Sequence, residues 1–184
     1  MLETLDRSVD MYKIETGQYR KDPEIINCLP MVQEIAQNLR NASQHRMSPL
    51  QVLVDGVPPA PDARFTCLGQ VELLRASLLN LMKNAMEATP EGETVVVDLN
   101  SEHGCRIEIR NRGVVPAIVR DRFFDKYSTA GKTYGTGLGT YSAKKMIEAQ
   151  GGTVNMQTSD EKNETVVTIL LPVELDVMKE SFSQ

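Results

Sequence analysis

Leu78-Leu79-Asn80-Leu81-Met82-Lys83-Asn84-Ala85-Met86-Glu87-Ala88 is the stretch that decides how this chain is read. It forms the second half of a helix predicted over residues 70–88, a span almost free of glycine, proline and β-branched residues. Leu74, Leu78, Leu81, Ala85 and Ala88 supply an apolar stripe at helical spacing. Asn80, Asn84 and Glu87 follow at i, i+4 and i+7 and form a second, polar stripe. Asparagine is a mediocre helix former. Two of them on one face of a well-built helix need a reason. One reason is a hard cation such as Mg2+, which takes oxygen ligands and keeps several waters. The other is an ordinary solvated face.

Outward from that helix, the pattern predicts alternating helices and strands. Upstream, residues 28–45 are amphipathic, with Leu29, Val32, Ile35, Ala36 and Leu39 on one face. Residues 50–57 alternate apolar and polar as a half-buried strand does, and a short strand follows near 64–68. Downstream come strands near 93–100 and 105–111 joined by a hairpin, then a short helix after Pro116. Residues 125–137 read as a mobile loop, 138–149 as a helix ending at Gly151-Gly152, and 153–158 and 165–171 as closing strands. Hairpins among alternating helices and strands predict a two-layer α/β sandwich, a mixed sheet with helices on one face. At the other end, Leu2, Leu5, Val9 and Tyr12 form a narrow seam that stops before Gly17. That seam is too short to fold alone.

With 184 residues the chain is expected to hold one domain, or one domain plus an appendage, and no staple is needed to stabilise its core. Hydrophobic content of 41% and charged content of 24% belong to a globular chain. No apolar run is long enough to span a membrane, and the first residues lack a signal peptide's pattern. Cys28, Cys67 and Cys105 are widely spaced and odd in number, which argues against a disulfide framework or a zinc site and fits a reducing cytosol. The net charge of −5 speaks against nucleic acid as a general partner. Yet residues 106–145 carry nine Lys/Arg against three Asp/Glu, a local +6 in a remainder of −11. Such a segment fits a small anionic ligand, or chance clustering on a solvated surface.

Two further motifs carry chemistry. Asn111-Arg112-Gly113 ends a strand. It is either a turn or a polar group aimed at a ligand's edge, with glycine allowing close approach. Gly135-Thr136-Gly137-Leu138-Gly139 opens a helix. Exposed N–H groups at a helix N-terminus make a phosphate cradle; the alternative is a flexible entry loop. Gly131-Lys132-Thr133 is not a P-loop, because Lys126 stands where its first glycine belongs. The 135–139 run is not a dinucleotide fingerprint, because Thr140 stands at its last glycine. His45 and His103 sit in polar surroundings, and no nucleophile–base set is defensible.

Taken together and in order, these motifs resemble the catalytic and ATP-binding domain of bacterial sensor histidine kinases, within the superfamily that also holds gyrase, Hsp90 and MutL. Residues 78–85 resemble the family's N box, Asn111-Arg112-Gly113 its first glycine box, Phe123-Phe124-Asp125-Lys126-Tyr127 its F box, and residues 135–139 its second glycine box. The resemblance spans about residues 20–172. It implies the Bergerat ATP-binding fold, with residues 1–18 as the end of a dimerisation helix and 19–184 as the catalytic domain.

The resemblance implies roles as well. Asn84, assisted by Asn80, would hold Mg2+ on the phosphates of ATP. Asn111 would face the adenine amino group, with Gly113 near the ring and Thr165 ordering a water. Lys132 would reach a phosphate and act with Asn84 in transfer. Gly135, Gly137 and Gly139 would cradle phosphates, with Phe123 or Phe124 anchoring the lid. Lys83, Glu87, Lys126, Thr129, Thr136, Leu138 and Thr140 complete the expected nucleotide-contacting set.

Two departures stand out. Asn111 replaces the family's aspartate, so a charge-assisted bond becomes a neutral one. The expected loss is roughly 1 kcal/mol. Val115 stands where a further glycine is common. Asn80 occupies the place of the glutamate that activates water in the superfamily's hydrolases, and an amide is no general base. This favours transfer to a protein acceptor. No histidine here is followed by an acidic residue, so the acceptor is expected on an upstream segment of a homodimer. A response regulator receiver domain would be the next partner, and the setting cytoplasmic. The alternatives are a degenerate nucleotide-binding scaffold and a serine kinase of the anti-sigma-factor type. Acid lability of the phosphoprotein separates the histidine from the serine kinase.

Overall fold

The computed structural model describes residues 11–20, 22–42, 49–102, 104–128 and 137–173. Its elements are β1 (Glu24–Asn27), α1 (Cys28–Ala42), β2 (Leu50–Val54), β3 (Thr66–Gly69), α2 (Val71–Ala88), β4 (Val95–Asn100), β5 (Cys105–Arg112), α3 (Ala117–Arg120), α4 (Gly139–Glu148), β6 (Thr153–Ser159) and β7 (Glu164–Leu171). Five strands form one sheet in the order β2-β4-β5-β7-β6. The β2–β4 pair is parallel and the rest are antiparallel, which makes the expected mixed sheet.

Side-chain period explains the layering. Val95, Val97 and Leu99 of β4, Ile107 and Ile109 of β5, and Val167, Ile169 and Leu171 of β7 are buried, while their alternating neighbours are not. On the buried face lie the apolar sides of α1, α2 and α4: Val32 and Ile35, Leu74, Leu78 and Leu81, Ala143 and Ile147. The opposite face is polar, with Glu108 paired to both Arg106 and Arg110. Among the described residues, helices therefore cover one side only. Helix α2 is central to this layer, and its Leu78 is fully buried. Leu78→Ala is expected to cost about 2–5 kcal/mol, from lost transfer energy plus a cavity. Chemical denaturation would read this as a lowered midpoint at unchanged slope.

Where α2 meets α4, Ser77 and Ala143 are both fully buried, and the Ser77 hydroxyl donates to the Leu73 carbonyl at 2.7 Å. Gln150, just past α4, accepts the Gln70 N–H at the start of α2 at 3.1 Å and donates to the Met146 carbonyl at 3.0 Å. The buried amide thus ties the two helices together.

Three features differ from the sequence reading. The strand expected over 50–57 stops at Val54, because Asp55 (φ 51°) and Gly56 (φ 79°) reverse the chain and Val57 bonds back to Val54. β1 and β3 pair antiparallel as a separate two-stranded sheet, Ile26 opposite Cys67. The cysteines do not stand apart: their sulfurs lie within 4.8 Å of one another, because β1, β3 and the start of β5 converge. Of the amino-terminal seam, residues 11–15 are helical and Gly17 takes φ 67° at the expected stop. Leu2, Leu5, Val9, His45 and His103 lie outside the described residues.

Candidate functional site

The polar stripe of α2 faces a pocket of about 440 Å³. Asn80, Lys83, Asn84 and Glu87 line one wall. They share a face because Lys83 and Asn84 lie three and four residues from both Asn80 and Glu87. Lys83 and Glu87 are exposed and lie 3.9 Å apart as an i, i+4 pair, while Asn80 and Asn84 are half-buried. Two carboxamide oxygens one turn apart, with a carboxylate on the next turn, make a hard-oxygen donor set. It fits Mg2+ and would not suit a thiophilic metal.

The floor comes from the sheet. Asn111 of β5 and Thr165 of β7 are register partners, and both are buried. The Asn111 Nδ2 donates to the Arg112 carbonyl at 2.8 Å. That bond orients the carboxamide, leaving its oxygen as the acceptor for a ligand. The Thr165 hydroxyl donates to the Gly113 carbonyl at 2.8 Å and lies 3.1 Å from the Thr158 hydroxyl. The Val115 N–H donates to Thr158 Oγ1 at 3.1 Å. The segment leaving β5 is therefore pinned to β6 and β7. Gly113 sits at φ 105°, and a Cβ there would lie 3.1 Å from the Ala88 carbonyl. The chain turns tightly against the end of α2 at this point.

Opposite α2, the wall is built by the Phe123 region and the start of α4. Phe123 lines the pocket, and its carbonyl accepts the Thr140 hydroxyl at 2.9 Å. Phe124 packs edge-on to it, centroids 4.9 Å apart. Tyr127, at φ 62°, donates its N–H to the Gly137 carbonyl at 3.0 Å. This bond joins the two segments that flank residues 129–136. Gly137 has φ 65°, and a Cβ there would lie 2.6–2.9 Å from the backbone of Tyr127 and Ser128. Only glycine fits. Gly139 and Thr140, the first residues of α4, line the pocket, and among the described residues a Cβ on Gly139 would meet no atom within 4 Å. The helix N-terminus with its positive end thus borders the pocket.

Of the residues singled out in the sequence, the pocket brings together Asn80, Lys83, Asn84, Glu87, Asn111, Gly113, Phe123, Gly137, Gly139, Thr140 and Thr165. Phe124, Lys126 and Leu138 stand outside its lining. Lys126 is turned to the amino-terminal segment, 2.8 Å from Glu15, with its ammonium 4.9 Å above the Tyr141 ring. The hydrogen bond to Glu15 holds the Lys126 ammonium above the usual lysine range, and the same bond, with one from Tyr141, holds Glu15 below the carboxylate range. Thr129, Lys132, Gly135 and Thr136 lie outside the described residues. Sequence reasoning missed the apolar rim of Val114, Pro116 and buried Val119. Pro116 and the short helix after it were the available signal.

A family model described as histidine kinase-, DNA gyrase B-, and HSP90-like ATPase matches residues 69–175. The sensory/regulatory protein RpfC of Xanthomonas campestris is 28% identical over 169 residues, which covers 85% of this chain and 23% of that protein. The sensor histidine kinase CusS of Escherichia coli is 34% identical over 110 residues, covering 55% of this chain and 22% of that protein. Among solved structures, the mycobacterial sensor histidine kinase MprB superposes with a TM-score of 0.68 at 20% identity, covering 82% of this chain and 97% of that one. Full-length ShkA in complex with AMPPNP gives 0.73 at 20% identity, covering 93% and 35%. At such identities the structural likeness establishes the fold. The chain spans less than a quarter of the length of these two curated relatives.

Proposed function

The chain belongs to the histidine kinase-, DNA gyrase B-, and HSP90-like ATPase family, and from that premise we propose that it is the ATP-binding catalytic domain of a sensor histidine kinase. It binds Mg-ATP and passes the γ-phosphoryl group to a histidine on an upstream segment. The observation that carries this reading is convergence. The carboxamides of α2, the Asn111–Thr165 floor and the glycine-lined start of α4 border one pocket.

Adenine lies on the floor in this reading. The Asn111 oxygen accepts from its amino group. The Thr165 hydroxyl spends its proton on Gly113 and so meets a bridging water as an acceptor. Gly113, with no side chain, allows the ring to approach. Gly137 and Gly139 offer backbone N–H groups to the phosphates, joined by Lys132, Gly135, Thr129 and Thr136 of the intervening loop. Asn84 and Asn80 would hold Mg2+, which neutralises phosphate charge and orients the chain of phosphates. Asn80 takes no proton from water, so the pocket positions the phosphoryl group for a protein acceptor. Phosphoryl transfer needs little more from this domain than positioning and charge stabilisation. The pocket keeps both carboxamides and the open glycine corner, which leaves the degenerate-scaffold alternative without support.

Residues 1–18 are proposed as the end of a dimerisation helix, 19–184 as the catalytic unit, and a receiver domain as the downstream partner of a homodimeric whole. A cytoplasmic setting belongs to the same reading. Among the described residues, no helix is long and apolar enough to cross a membrane.

Asn111→Asp is expected to have two opposed effects. Nucleotide affinity rises about five-fold, from roughly 1 kcal/mol of charge assistance. Stability falls by about 1 kcal/mol, because the Arg112 carbonyl loses its donor and meets a carboxylate. Calorimetric titration and thermal unfolding read the two separately.

The function itself is tested by incubating the full-length protein with γ-labelled ATP. An acid-labile, base-stable phosphoprotein is expected. An acid-stable label would mark a serine kinase, and an absent label would refute the transfer.

A further inference from the structure

Three sulfurs meet in the core, away from the nucleotide pocket. Cys28 is the first residue of α1, Cys67 lies in β3, and Cys105 opens β5. They are 0%, 2% and 2% exposed, and all are free thiols. Buried cysteine usually serves as a small apolar side chain, but a chance trio would keep its sulfurs at van der Waals distance. Here Cys28 Sγ and Cys67 Sγ are 2.7 Å apart, well inside that contact. The backbone accounts for the approach. Ile26 is the register partner of Cys67 in the β1–β3 pair, and the Cys28 N–H continues the ladder to the Phe65 carbonyl at 2.7 Å. Cys28 therefore follows two residues after Ile26, on the face that Cys67 occupies.

A metal is the other occupant such a cluster can take. Two thiolates on one zinc ion stand roughly 3.8 Å apart, from Zn–S bonds of about 2.3 Å in tetrahedral geometry. The pair here is closer than that, and no His, Asp or Glu completes the cluster among the described residues. The separation favours sulfur–sulfur bonding.

We propose that Cys28 and Cys67 form a dithiol that a peroxide oxidises to an intramolecular disulfide, with Cys105 remaining a thiol. Cys28 is the attacking sulfur. It sits at the positive end of a 15-residue helix. Hydrogen bonds from Cys105 and then Cys67 outweigh burial and hold its thiol below the usual cysteine range. Its thiolate attacks one peroxide oxygen. The O–O bond breaks, Cys28 becomes a sulfenic acid, and the departing hydroxide takes the proton that Cys28 gave up, leaving as water. The Cys67 sulfur then attacks the Cys28 sulfur. The S–S bond forms, the S–O bond breaks, and the hydroxyl leaves with the Cys67 proton as a second water. Two thiols and one peroxide give one disulfide and two waters. Local opening of the β1–β3 pair admits the oxidant. The bond joins residues 39 apart and fixes β3, which leads into α2, against α1.

The test oxidises the folded, EDTA-treated protein with hydrogen peroxide and maps its sulfurs by mass spectrometry after blocking free thiols. The expected result is a fall from three thiols to one, loss of two hydrogen masses, and a peptide linked between Cys28 and Cys67. The reductant dithiothreitol restores three thiols. The same treatment in denaturant is expected to give mixed pairings, which shows that the fold chooses the pair. Three surviving thiols, sulfinic acid without a cross-link, or a predominant link to Cys105 would each overturn the proposal. So would a stoichiometric metal ion on the purified protein that shields all three sulfurs, since the cluster would then be a metal site. Wild-type mapping carries the result, so no variant need fold. Cys105→Ser, where it folds, is expected to retain the link.

Discussion

Replacing Asn84 by alanine is expected to weaken Mg2+-dependent nucleotide binding on the order of 100-fold, the upper range for disturbing a metal's ligand environment, while leaving the domain folded. The first half follows from position. Asn84 is half-buried on the pocket face of α2, one turn from Asn80, and the two carboxamides are the metal-holding pair of the proposed site. Removing one halves that pair just where phosphate charge must be neutralised. The second half follows from helix propensity. Alanine is favoured over asparagine by about 0.5 kcal/mol within a helix, and the apolar stripe of Leu74, Leu78 and Leu81 is untouched. Loss of binding together with an unchanged or raised unfolding midpoint separates a site effect from a folding effect. Isothermal titration and thermal melts on the same sample supply both numbers. A variant that binds as well as the parent would remove Asn84 from the site.

Gly137→Ala is expected to have the second largest effect, and by another route. The backbone at Gly137 has φ 65°, which costs an L-residue about 1–2 kcal/mol. Its new Cβ would also lie 2.6–2.9 Å from backbone atoms of Tyr127 and Ser128. Backbone cannot rotate aside as a side chain does, so the two ends of the loop must separate. The Tyr127 N–H to Gly137 carbonyl bond, 3.0 Å long, then breaks. The sheet and α2 lie elsewhere and remain folded. Nucleotide affinity is expected to fall on the order of ten-fold, from lost anchoring of the phosphate-facing backbone, and the loop becomes a preferred site of limited proteolysis. Proteolysis at the parent's rate with unchanged affinity would contradict this account of the loop base.

Much of the architecture was legible because it is written in local period. The polar stripe of α2, the alternation in β4 and β5, and the helix start at Pro116 and stop at Gly151 follow from neighbours a few residues apart, and the element bounds fell within a few residues of expectation. The lining of the candidate pocket was legible for a related reason. Most of it lies on one helix face, one strand end and one helix start, each carrying its own motif. Legibility failed where distant segments meet. Nothing in the period of residues 24–27 names residues 66–69 as their partner, yet their pairing creates the second sheet. The same pairing brings together cysteines 39 residues apart, a contact that their spacing does not announce. Lys126 is a further case. Its motif places it in the nucleotide-contacting set, but Glu15, over a hundred residues away in sequence, draws it to the amino-terminal segment. An Asn111 oriented by the carbonyl of the next residue is likewise a matter of geometry that residue type alone leaves open.

That contact of Lys126 is one of several that seat the amino-terminal segment. Glu15 accepts from both Lys126 and Tyr141, at 2.8 and 2.9 Å. Tyr19 donates to Gln70 at 2.6 Å. The amino-terminal segment thus rests on the helical layer at its α4 side and at the start of α2.

The central claim is that the α2 face, the Asn111–Thr165 floor and the start of α4 form one Mg-ATP site. The most direct measurement is calorimetric titration of this chain with a non-hydrolysable ATP analogue, with and without Mg2+, beside Asn84→Ala. The account predicts one-to-one binding in the micromolar to millimolar range that strengthens with Mg2+ and is lost or greatly weakened in the variant. No binding by the parent, or equal binding by parent and variant in the presence of Mg2+, would contradict it.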